Sequence, residues 1–219
     1  MKIWVASCLA LLLSFNVFAE SDPKAAVEPL KIARDTFYED VSKFQEGKLT
    51  EEELVTRISE QFAPLINDRT VALRVMGRFA RQATEAERDR FTDRLESSLV
   101  DAYARGLAAY GGEQLVLPEE GVILKPGRAM VEARLESPGR EPLPIQFALG
   151  FEKDKGWMVE NVVIAGINLG LTLRNQFADL VQSTGSVSGA IDSWSFESVS
   201  ANEPCVVLTH QPMKNHGVN

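Results

Sequence analysis

The chain has 219 residues, a net charge of −8, 45% hydrophobic residues and two cysteines. That is enough apolar material for one domain with a sizeable core. The acidic balance argues against nucleic acid, and against unassisted adsorption to an anionic membrane.

The first residues read as a secretory signal. Lys2 supplies a positive start, residues 3–15 are mostly apolar, and Val17-Phe18-Ala19 offers the modest side chains that a signal peptidase reads. Cleavage is expected between Ala19 and Glu20. The apolar run is too short to span a bilayer, and Cys8 precedes most of it, unlike the acylated cysteine of a lipoprotein. Removing residues 1–19 takes away Lys2 alone among the charged residues, so the net charge moves to about −9. Only Cys205 remains, so no internal disulfide can form and packing alone must hold the fold.

From 23 to 44 the apolar residues Leu30, Ala33, Phe37, Val41 and Phe44 recur every three or four positions, one stripe of an amphipathic helix that Gly47 ends. Thr50-Glu51-Glu52-Glu53 reads as a capping box opening a second helix, with Leu54, Ile58 and Leu65 inward and a break at Pro64. A short helix over 69–81 carries Val71, Val75, Met76 and Phe79. Thr84-Glu85-Ala86-Glu87 is a second capping box. It opens a helix over 85–110, about 39 Å long, with Phe91, Leu95, Leu99, Tyr103 and Leu107 four apart and charged residues between them.

Beyond Gly111-Gly112 the period changes to two. Ala129, Val131, Ala133 and Leu135 alternate with polar residues, Pro138-Gly139 turns the chain, and Ile145, Phe147, Leu149 and Phe151 alternate again. Residues 152–156 make a polar turn into a strand from Trp157 through Val162-Val163-Ile164, and weaker strands fit 115–117 and 122–125. The connections are short, so the sheet should be antiparallel. A helix from about Leu169 to Gly185 buries Leu173, Phe177, Leu180 and Val181, and a last turn of helix reaches Trp194. Residues 199–219 show no period and read as a disordered tail. The expectation is one α+β domain over 20–198, with an antiparallel sheet of about four strands packed against several helices.

Three stretches in register resemble the MlaC, or toluene-tolerance, family of periplasmic phospholipid-binding proteins. The first is Ala63-Pro64-Leu65-Ile66-Asn67-Asp68 leading into Val75-Met76-Gly77-Arg78-Phe79-Ala80-Arg81-Gln82-Ala83-Thr84. The second is Glu87-Arg88-Asp89-Arg90-Phe91 with Leu99-Val100-Asp101-Ala102-Tyr103-Ala104. The third runs from Trp157-Met158-Val159-Glu160-Asn161 through Val162-Val163-Ile164-Ala165-Gly166-Ile167-Asn168-Leu169 to Arg174-Asn175-Gln176-Phe177. The chain departs from the family's usual residues at Ala80, Ala165, Asn168 and Leu173.

The resemblance implies a periplasmic carrier that holds a phospholipid by its acyl chains in a deep apolar pocket between sheet and helices. Its partners would be an outer-membrane lipoprotein–porin complex and an inner-membrane ABC transporter complex, and its task the lipid asymmetry of the outer membrane. Val75, Phe79, Leu99, Tyr103, Phe147, Leu149, Trp157 and Val163 are the expected pocket wall, from their inner-face phasing. The same phasing would serve a filled core, and periodicity does not separate the two. The phospholipid would be cargo, with no other cofactor, and the chain is expected to be monomeric.

An enzyme is the competing class. Both histidines, His210 and His216, lie in the tail with Cys205, no serine sits in a Gly-x-Ser-x-Gly setting, and no metal-ligand spacing stands out. No catalytic or metal site is expected. A pocketless interaction module of the same fold remains the alternative to the carrier.

Overall fold

A computed structural model describes residues 20–108 and 110–195, and the side chains of all of these except 100–108. The expected signal segment and tail lie outside the described residues. Six α-helices and six strands follow one another in chain order as α1 Pro23–Gln45, α2 Glu51–Phe62, α3 Asp68–Met76, α4 Glu85–Ala108, β1 Gln114–Val116, β2 Val122–Lys125, β3 Arg128–Glu136, β4 Leu143–Glu152, β5 Gly156–Ile164, β6 Ile167–Asn168, α5 Leu169–Thr184 and α6 Val187–Asp192.

The helix starts are chemical. Asp22 caps α1 by accepting from the Lys24 amide, with Pro23 in the first turn, where its missing N–H costs nothing. Thr50 and Glu53 form a full capping box, and Thr84 and Glu87 repeat it at α4. The expected helix over 69–81 is two pieces. The α-helix ends at Met76, and a 3-10 turn covers Gly77–Arg81. Gly77 has φ +56 and ψ −124, a backbone conformation that breaks the α-helical ladder there.

All strand pairs are antiparallel, in the order β1-β3-β4-β5-β6, with β2 also on β3. The sheet has six strands where about four were expected, because β1 and β2 both form and β6 adds two residues. One face carries Ala129, Val131, Ala133 and Leu135 of β3 beside Leu149, Phe147, Ile145 and Leu143 of β4.

A bulge decides the faces of β5. Ala148 pairs with Asn161, but Leu149 pairs with Val159, so Glu160 is an extra residue. Trp157 and Val159 therefore share the apolar face with Val162 and Ile164, while Val163, opposite Gln146, turns to the other face.

Most of the buried apolar side chains fall into two clusters, with Val41, Leu54, Ile58, Ile145 and Met158 among those outside both. One is helical, with Val75, Met76 and Phe79 packed on Phe91, Leu95, Leu173, Phe177 and Trp194. The other joins Ala26, Val27 and Leu30 of α1 to Ala129, Val131, Leu149 and Trp157 of the sheet. No sheet residue belongs to the buried helical cluster. It meets the sheet at the edge of β5, where the Asn67 amide donates to the Val159 carbonyl and Ile66 bridges Val159.

Candidate functional site

One end of the sheet's apolar face is covered more completely than the other. There α1 covers it, and Ala129, Val131, Leu149 and Trp157 are 5% exposed or less. Backbone bonds hold that end of α1, since the Gly121 amide donates to the Pro23 carbonyl and the Gly127 amide to that of Glu20. Farther along, Tyr38 accepts a hydrogen bond from the Leu115 amide of β1, and Phe37 meets Tyr110 edge to face at 5.8 Å. The helix thus crosses the face from β5 and β4, where its first turns meet Trp157 and Leu149, toward β1. At the other end of the same face Leu135, Leu143, Phe147, Val162 and Ile164 are half-buried around Ala133 and Ile145, which are 8% exposed. These five apolar side chains form a strip between α1 along one margin and the helical cluster at the β5 edge.

The eight residues expected to line one cavity are divided among several places. Phe147, Leu149 and Trp157 share the apolar face, as the alternation indicated. Val75 and Phe79 belong to the helical cluster, where Phe79 stands 6.3 Å from the ring of Phe177. Leu99 is half-buried on α4. The side chain of Tyr103 lies outside the described residues. Val163 is on the opposite face, because the bulge at Glu160 shifts the alternation by one residue. Val162 and Ile164 take the place expected for it.

A second feature was not expected from sequence. A cleft of about 630 Å³ opens between α3 with its following 3-10 turn, the start of α5 and the bulge of β5. It is lined by Arg74, Arg78, Arg81 and Arg174, with Glu160 as its one acid and Val71, Val75 and Leu171 as apolar wall. Glu160, 5% exposed at its side chain, takes Arg74 and Arg128 at 2.6 Å each. Gly150 makes room for that pair, since a β-carbon there would stand 2.1 Å from Glu160 Oε1. The signal that could have found the cleft is the arginine at 74, 78 and 81, spaced three and four apart. Among the described residues no group of three His, Cys, Asp or Glu side chains could hold a metal, and no helix is long and apolar enough to cross a membrane.

Fold and face define a class: an α+β protein built on one antiparallel sheet whose apolar face is only partly covered by helices. Within that class the chain belongs to the MlaC family, whose family model, described as "MlaC protein", matches residues 35–195. It is 30% identical over 134 residues to the toluene tolerance protein ttg2D of Pseudomonas putida, an alignment covering 58% of this chain and 58% of that protein. The chain therefore spans under two thirds of the length of this curated relative. Its fold is similar to that of a phospholipid-binding protein from Ralstonia solanacearum, solved in complex with a phospholipid. The TM-score is 0.64 at 23% identity, over 78% of this chain and 94% of the other.

Proposed function

We propose that this protein is a periplasmic phospholipid carrier that takes acyl chains onto the half-buried strip of its sheet, between α1 and the helical cluster. The observation that carries the reading is the split core. A compact domain with a single filled core would join its helical and sheet clusters, and here the helical cluster stops at the edge of β5. Each CH₂ withdrawn from water contributes about 0.8 kcal/mol, so two acyl chains offer roughly 20 kcal/mol of gross transfer energy. Exchange with a bilayer needs only a surface that approximates its interior, and Leu135, Leu143, Phe147, Val162 and Ile164 supply apolar atoms alone. Such a carrier requires no catalytic group. Membership of the MlaC family and the phospholipid held by the Ralstonia solanacearum protein support the same cargo here. The exchange partners that fit are an inner-membrane ABC transporter complex and an outer-membrane lipoprotein–porin complex, with delivery to the periplasm by the segment 1–19.

The bulge supplies the test. Phe147 and Val163 lie on adjacent strands but on opposite faces. Phe147→Asp puts an unpaired carboxylate on the strip, where desolvation makes it costly, and Val163→Asp puts the same charge on the far side. Phospholipid co-purifying with each protein, measured after solvent extraction, should fall at least about tenfold in Phe147→Asp and stay near wild type in Val163→Asp. Both variants are checked for a folded circular-dichroism spectrum. A folded Phe147→Asp protein with full lipid content would remove the strip from the binding site.

A further inference from the structure

We propose that the arginine cleft between α3, its following 3-10 turn and the start of α5 is a binding site for a phosphate ester. The inference rests on the arginines and not on the strip, so it stands apart from the carrier reading.

Within a chain of net charge −8, four guanidinium groups converge on one concave surface with a single carboxylate among them. That carboxylate is already engaged, because Glu160 bridges Arg74 and Arg128. Among the described residues no carboxylate lies within ion-pair distance of Arg78, Arg81 or Arg174. Two of the three are positioned by packing instead. The Arg78 guanidinium lies 4.8 Å from the centre of the Phe79 ring. Arg174 lies against the backbone at Gly77, where a β-carbon would stand 2.8 Å from its Nε. Packed this way, each keeps N–H donors unspent while losing rotamer freedom, the condition under which arginine recognises a phosphate with little ordering cost.

The first amides of α5 do not compete for the anion. The Gly170 and Leu171 amides donate to Asn161 Oδ1 and Asn168 Oδ1, at 3.0 Å each, and Asn161 Nδ2 also donates to Asn168 Oδ1. The recognition is therefore by side chains. The volume, about 630 Å³, is far more than a bare phosphate fills. Val71, Val75 and the 52%-exposed Leu171 offer an apolar wall for what the phosphate is attached to. An ester fits both halves of the lining, whether its source is a lipid head group or a soluble phosphomonoester.

The test uses the chain from Glu20 onward, titrated calorimetrically with three probes: inorganic phosphate, a short-chain phosphatidylglycerol below its micellar concentration, and the diacylglycerol of the same chains. The variant is Arg78→Met with Arg174→Met, and Arg140→Met is the off-site control. The expected result is that the phosphatidylglycerol binds, that its affinity falls with added salt, and that the double variant loses at least about tenfold while the control does not. Inorganic phosphate that competes with it would assign a site open to soluble phosphates, and failure to compete would assign the lipid head group. The proposal is overturned if the double variant binds phosphatidylglycerol as wild type does. It is equally overturned if diacylglycerol binding falls in step, since the arginines would then only support the wall, or if neither phosphate probe binds the wild-type protein. In that last case the cleft would be left for an acidic protein surface. Loss of the carrier reading shows elsewhere, in the lipid content of Phe147→Asp, and leaves these arms intact.

Discussion

Asp68 begins α3 on the rim of a second cleft, of about 550 Å³, that it shares with Asn67, Arg69, Lys155 and Met158. Burial pushes its carboxyl up from the usual 3.8 to about 6, nearby Glu96 adds to the effect, and Lys155 opposes it. The folded protein then binds this proton more tightly than the unfolded chain does. Stability from this group therefore falls as pH rises from about 4 through 6, and the cost is fully present above that. Asp68→Asn should remove it. After discounting for partial exposure, the variant should gain about 1 kcal/mol, roughly 2–4 °C in Tm, at pH 8. The gain should vanish near pH 4, and melts at both values check it. An equal gain at both would place the cause in something other than titration. Nothing in the sequence at Asp68 signalled this, because its environment comes from residues 28 and 87 positions away. The capping residues Thr50 and Thr84 were legible for the opposite reason, since their partners Glu53 and Glu87 lie within one turn.

Among the elements, the long helix and the bulged strand show where periodicity misleads. Phe91, Leu95 and Leu99 are four apart, but a turn takes 3.6 residues, so each step rotates the stripe by about 40°. By Leu99 it has moved about 80°, which is why Leu95 is 1% exposed, Leu99 only half-buried, and Ser98 buried in its stead. On β5 the alternation from Trp157 to Val163 looks continuous, and only the register with β4 reveals the extra residue at Glu160. That residue is also the one acid of the arginine cleft, so the bulge both sets the apolar face and places the cleft's carboxylate. The β5–β6 turn adds a prediction at this scale. It consists of Ala165 and Gly166 with φ of +50 and +85, and alanine is disfavoured in the left-handed region. Ala165 is exposed, and its amide donates to the Pro144 carbonyl at 2.9 Å, a bond that any L-residue but proline keeps. Ala165→Asn should therefore stabilise by about 0.5–1 kcal/mol, seen as a raised urea midpoint at unchanged slope. A lowered midpoint would show that the alanine makes a contact the turn geometry does not reveal.

Across the whole molecule, sequence alone conveyed an α+β domain with its elements in the right order, yet it presented all inward apolar residues as one set. Their division into a helical cluster and a sheet cluster depends on which helix meets which face, and that is long-range information. Val75 and Phe147 carry the same inward phasing and end in different places. The division has an optical consequence. Beyond residue 19 the chain has two tryptophans, one in each cluster. Trp157 packs on Phe151 at 5.4 Å, on the same sheet face as Phe147, while Trp194 is fully buried against Phe91 at 5.1 Å. If acyl chains lie on the strip, bromine carried on those chains reaches a reporter placed at Phe147, while Trp157 is sealed under α1 and Trp194 lies in the helical cluster. Phe147→Trp combined with Trp157→Phe and Trp194→Phe puts the one reporter on the strip, and Trp157→Phe alone leaves Trp194. Loading each single-tryptophan protein with phospholipid brominated along its chains should quench the tryptophan at position 147 severalfold more than Trp194, with unbrominated lipid as the baseline. Equal quenching would mean that the chains penetrate the helical cluster as well. Quenching of Trp194 alone would move the lipid off the sheet and into the helices, where Val75 and Phe79 lie, and the split core would no longer argue for a carrier of this geometry.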